Sequence, residues 1–135
     1  MVYNTNGVKK DMKVKKIKIG IKSAKEILDD FAKTAEAIEK KEPVKKEKVL
    51  YFESINGFRK ALTPKRLELI HVIKESRPES INELARMVNR DIKSVATDIK
   101  ILKDLDLVDT KKTAPDGKKS ALVVEYGKIG LEIAV

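Results

Sequence analysis

Residues 63–108, TPKRLELIHVIKESRPESINELARMVNRDIKSVATDIKILKDLDLV, decide the fold. Thr63 suits an N-cap, and Pro64 falls at the first helical position, where its missing N–H costs nothing. Leu67, Ile70, Val72 and Ile73 then carry an apolar helical stripe to about Ser76, and Arg77-Pro78 stops it. Ser80-Ile-Asn-Glu83 matches a capping box, so a second helix starts there and buries Leu84, Ala85 and Val88. Asn89-Arg90 breaks that helix, since Asn tolerates a left-handed backbone, and Asp91 caps a third. A short helix, a tight turn and a longer helix make the helix-turn-helix pattern.

The third helix carries the functional expectation. Ile92, Val95, Ala96, Ile99 and Leu102 recur at three- and four-residue spacings and are expected to pack inward. Lys93, Ser94, Thr97 and Lys100 are left on the opposite face, short polar or cationic groups suited to base edges and phosphates in a major groove. Downstream, residues 107–112 and 120–126 read as strands flanking Pro115-Asp-Gly117, a turn signal, with Lys112, Lys118 and Lys119 near its tip. Three helices and a basic-tipped hairpin predict a winged helix within an α+β, mostly helical fold.

These residues also carry a resemblance. Ser94–Val108, SVATDIKILKDLDLV, is similar to the recognition-helix signature of MarR- and ArsR-like winged-helix regulators, with Asp106 where that signature usually has Gly. Asp is among the few other residues that visit the left-handed region, so the turn is expected to survive. Asp98 also departs, since related helices often carry a basic or polar residue there. Three roles stay open for it: accepting from cytosine N4, offsetting charge near Lys100, or repelling phosphate. Residues 16–33, 49–70 and 123–135 together resemble a small prokaryotic family of DNA-binding proteins, some of them TumA-type antitoxins encoded beside a toxin. The resemblance covers about residues 15 to 135 and implies DNA binding, with a toxin protein as an alternative partner.

The 135 residues suit one domain with an N-terminal appendage. Thirty Lys and Arg against 21 Asp and Glu give a net +9, which favours a polyanion partner or else a Lys/Glu-rich thermophile surface. The chain holds no Cys, so disulfides and cysteine metal sites are out. No apolar run approaches the ~20 residues of a membrane span, and no signal-peptide core opens the chain. A cytoplasmic protein without membrane contact is expected.

Residues 1–14 read as a disordered basic tail. Seven Lys and one Asp lie between Met1 and Lys22, so +6 of the +9 sits there. A phosphate-touching arm remains open for 1–14. For 15–22 the alternation of Ile17, Ile19 and Ile21 with lysines favours an edge strand guarded by charge. Ser23-Ala-Lys-Glu26 is a second capping-box match, opening a helix to about Lys40 with the stripe Ala24, Ile27, Leu28, Phe31, Ala35 and Ile38. That stripe either packs on the protein's own core or serves as a dimer or partner contact.

A Lys/Glu-rich connector leads to a short strand at 49–52, completing a strand-helix-strand extension over 15–53. A brief helix from Ser54 then opens the winged helix-turn-helix domain of 54–135, which closes on a strand alternating Ile129, Leu131 and Ile133. Pairing this last strand with 17–21 would tie the chain's ends together.

Nothing points to catalysis, a metal or a cofactor. His71 is the lone imidazole, no Gly-rich phosphate loop precedes a helix, and the acids lack a companion pattern. An effector pocket between the N-terminal segment and the winged helix would leave no trace in the sequence. From Asn89 to Ser120 eight basic residues face six acids, a net +2 that is thin for one reading head. A homodimer on double-stranded DNA is therefore expected. Arg90 and Ser80 are expected at phosphates, and Lys112, Lys118 and Lys119 on the wing.

Overall fold

The computed structural model describes residues 16–41 and 48–133. The expected tail at 1–14, most of the connector and the last two residues lie outside them. The fold is α+β. Its elements run β1 (Lys16–Ile21), α1 (Ala24–Glu39), β2 (Lys48–Phe52), α2 (Ile55–Ala61), α3 (Pro64–Ser76), α4 (Ile81–Val88), α5 (Ile92–Asp104), β3 (Asp109–Lys112), β4 (Ser120–Val123) and β5 (Lys128–Ile133).

Local chemistry sets the helix limits. Ser23, Ser54, Thr63, Ser80 and Asp91 each accept a backbone N–H of the first turn they cap, satisfying a donor that the helix itself cannot. The capping box at Ser23 is reciprocal, with the Glu26 carboxylate accepting the Ser23 N–H at 3.3 Å. The one expected at Ser80 is only half made. Glu83 Oε2 accepts from the N–H of Glu79, one residue earlier, at 3.3 Å. At the far ends, Arg77 (φ 44), Asn89 (φ 53) and Asp106 (φ 61) all take left-handed backbone.

Two sheets flank the helices. β1 lies between β2 and β5, parallel to both, with Ile17 beside Ile129 and Ile19 beside both Leu50 and Leu131. The ends of the chain are therefore tied together by β1–β5 pairing. The expected edge position for 15–22 is corrected: β1 is the central strand, and Ile17 and Ile19 are fully buried. Its lysines had suggested a guarded edge, but they alternate onto the sheet's other face, where Lys18 pairs with Glu132 at 3.3 Å. Gly20 lies on that same face under the Tyr51 ring. A Cβ there would come within 2.9 Å of it.

β3 and β4 form an antiparallel hairpin, closed by Ala114-Pro115-Asp116-Gly117 with Gly117 at φ 72. Gly117 N–H donates to Ala114 O at 2.9 Å. One apolar core joins all of this. Ile17 and Ile19 of β1 meet Leu69 and Ile73 of α3, Leu84 of α4, and Val95, Ile99 and Leu102 of α5. Each such side chain contributes about 1.5–3 kcal/mol on leaving water.

α1 takes no part in that core. None of its 16 residues is buried, and Leu28, Phe31 and Ile38 stay 67, 67 and 62% exposed. Among the described residues, Leu28, Phe31 and Ile38 of this stripe do not pack on the protein's own core, one of the two readings of the sequence.

Candidate nucleic-acid interface

The face in question is the outer side of α5. α4 packs on α5, and α3 touches both helices and β4. Val95, Ile99 and Leu102 point into this junction. Ile92, expected inward, is 41% exposed at the first turn of α5. Leu67 is likewise 43% exposed, and α3 buries Leu69, Ile70 and Ile73 instead.

Lys93, Ser94, Thr97 and Lys100 all stand exposed along α5, and no described element lies over them. Seven residues separate the two lysines, about 10 Å along the helix axis. Thr97 donates its hydroxyl proton to the Lys93 carbonyl at 3.0 Å, which leaves its oxygen lone pairs outward. Ser94 N–H is held by Asp91 Oδ2 at 3.1 Å. Ser80, at the start of α4, is exposed with its oxygen accepting from Glu83 N–H. Lys112, Lys118 and Lys119 are exposed at the hairpin, where Asp116 Oδ1 pins the Lys118 N–H at 2.9 Å.

Two sequence expectations need correcting together. Asp98 does not reach outward to a base or a phosphate; it is buried, its side chain 12% exposed. Its Oδ1 accepts from Arg66 Nε at 3.0 Å and its Oδ2 from Arg90 Nη2 at 2.7 Å. Arg90 is thereby turned inward, its side chain 18% exposed, and is withdrawn from the phosphate role. Burial pushes the Asp98 carboxyl upward, but hydrogen bonds and charge from Arg90 and Arg66 outweigh that and hold it below the ordinary carboxylate value.

Arg66 escaped the sequence reading. Its Nη1 also donates to the carbonyls of Lys60 and Ala61 at 2.8 and 2.9 Å, so one guanidinium fastens the end of α2 to the middle of α5. The available signal was an arginine in the first turn of α3, where the helix dipole disfavours a cation. Arg86, exposed on α4 beside the Asn89 turn, was also passed over.

Three helices with a polar outward face and a basic hairpin thus form one packed unit. Residues 61–131 match the HVO_A0114 family. The chain belongs to that family. A comparison with curated proteins gives no match. The HVO_A0114 match takes in α3, α4, α5, the hairpin and the first four of the six residues of β5. β1, α1 and β2 lie before it.

Elsewhere on this HVO_A0114 chain, an open hollow of about 230 Å³ lies between α3 and the start of β5, lined by Leu67, Ile70, His71, Tyr126 and Ile129. His71 is exposed at its rim. Among the described residues no three His, Cys, Asp or Glu side chains gather as a metal site, and no helix is long and apolar enough to cross a membrane.

Proposed function

We propose that this protein is a cytoplasmic transcription regulator of winged-helix type that binds double-stranded DNA sequence-specifically as a dimer. The observation that carries the reading is the outer face of α5. Lys93, Ser94, Thr97 and Lys100 are exposed together on a helix whose opposite face is locked into the core. In this reading α5 enters the major groove, Thr97 and Lys93 read base edges, and Ser80 and Arg86 at α4 meet phosphate. Lys112, Lys118 and Lys119 act as the wing. The likeness of Ser94–Val108 to MarR- and ArsR-like recognition helices supports the same assignment.

Charge balance argues for two heads. Arg90 and Asp98 neutralise each other inside, so from Asn89 to Ser120 seven basic and five acidic residues remain, still a net +2. Each neutralised phosphate contributes roughly one unit of the salt slope, so a single head binds weakly. Two heads on a palindromic site double the contacts.

Binding-site selection followed by titration of the selected duplex and a scrambled one tests the proposal. A preference of at least about a hundredfold for the selected site is expected. Equal affinity for both would replace it with a sequence-neutral chromosomal role. The exposed stripe of α1 favours a second reading, an antitoxin that clasps a toxin through residues 15–50 and autoregulates through α5. A neighbour-encoded protein that co-purifies with the wild type and is lost from Leu28→Glu, an exposed position of the stripe, would select it.

A further inference from the structure

We propose that α1 is a self-complementary antiparallel coiled-coil segment, and that its apolar stripe is covered by α1 of a second copy of this chain. Ala24, Leu28, Phe31, Ala35 and Ile38 are spaced four, three, four and three residues apart, the alternation of an a/d seam rather than of a broad core-facing side. The helix is well started by its reciprocal capping box, yet none of its 16 residues is buried. A helix this short is marginal in water without a packed face.

The sequence of the seam states what fits it. Run antiparallel, Leu28 of one copy meets Ile38 of the other, and Phe31 meets Ala35, a large side chain against a small one at each central layer. The flanking e positions are Lys25, Ala32 and Glu39, which are symmetric about Ala32. Antiparallel pairing therefore sets Lys25 of each copy beside Glu39 of the other, twice per dimer, with the two Ala32 methyls at the centre. A parallel pair would stack Phe31 on Phe31 and Ala35 on Ala35, and would bring Thr34 to Glu39 with no charge pair. Size and charge both select the antiparallel arrangement.

This deepens the proposed function by naming the surface that joins its two reading heads. It is tested without DNA, by sedimentation of the full chain across micromolar concentrations. The wild type is expected at dimer mass. Phe31→Glu buries two charges in the seam and should raise the dimer dissociation constant at least a thousandfold, leaving a folded monomer, because Phe31 touches no core residue. Lys25→Glu should weaken the dimer about tenfold, exposed ion pairs being individually small. Lys25→Glu with Glu39→Lys should restore it.

A monomeric wild type, a dimer indifferent to Phe31→Glu, no restoration by the double swap, or a different protein bound stoichiometrically through α1 would each overturn the proposal. The DNA reading stands or falls separately, on whether the Phe31→Glu monomer still prefers one half-site over scrambled duplex.

Discussion

α5 and α1 are both amphipathic helices, of 13 and 16 residues, and their fates are opposite. α5 buries Val95, Ile99 and Leu102 under α3 and α4 and turns a polar face outward. α1 leaves Ile27, Asp30 and Ala37 half-buried and turns Leu28, Phe31 and Ile38 outward. The difference lies in what each helix has to lean on. α5 follows α4 after a turn of only a few residues, and its apolar face lies against α4 and α3. α1 is the crossover between two parallel strands whose apolar face is spent on the core beneath, and the sheet's other face, bearing Lys18, Gly20 and Glu132, offers it no apolar counterpart. Amphipathicity thus specifies that a face must be covered, not by what.

The sharpest way to break the contrast is to unfasten α5. Asp98→Ala strips two largely buried guanidiniums of their partner and should cost about 3–5 kcal/mol in chemical denaturation. Ile99→Ala, which opens a cavity under α5, should cost about 2–5 kcal/mol. The matching truncation in α1, Leu28→Ala, should leave the stability of the isolated monomer within about 0.5 kcal/mol, because that side chain is exposed. If Leu28→Ala proved as damaging to the monomer as Ile99→Ala, the contrast would fail.

Function should follow the same division. Lys93→Ala with Thr97→Ala leaves the core intact and should remove about 1–3 kcal/mol of sequence discrimination per base contact, read as the ratio of affinities for selected and scrambled duplex. Replacing Lys112, Lys118 and Lys119 by Ala should weaken binding to every duplex alike and reduce the salt slope by about one unit per lost phosphate contact. A change in preference among sequences would instead put the hairpin at base edges.

Acid provides a finer probe. Because Asp98 is held below its ordinary value, the stability it provides is complete above the unfolded carboxyl value, about 3.9, and is lost as pH falls through the lower folded one. Denaturation at pH 5 and pH 3 should therefore show a loss in the wild type that Asp98→Asn does not share. The smallest effect expected is a gain. Asp106→Gly relieves a left-handed backbone at φ 61 at the expense of an exposed contact to Lys48, and should stabilise by a few tenths of a kcal/mol.

Much of this was readable in advance where the cause is local. Ser23, Thr63, Ser80 and Asp91 cap the helices expected of them, and Asn89 and Asp106 take the left-handed turns, because a cap or a turn depends on residues three or four apart. The two site readings that failed turn on contacts beyond a single helical turn. Asp98, for which the sequence leaves open a base, the charge near Lys100 or a phosphate, is instead held by Arg66, 32 positions earlier. Arg90 looked like a phosphate contact until the same carboxylate took it inward.

The amino-acid sequence by itself determined where the helices of this protein begin and end, which faces are apolar and where the backbone must turn, since those are contests among neighbouring groups. Only the tertiary structure decided that β1 is central, that Asp98 is a buried clasp and that the described residues leave Leu28, Phe31 and Ile38 of α1 exposed. Each of those depends on which distant surface keeps water off the group in the folded state, and spacing along the chain does not encode that.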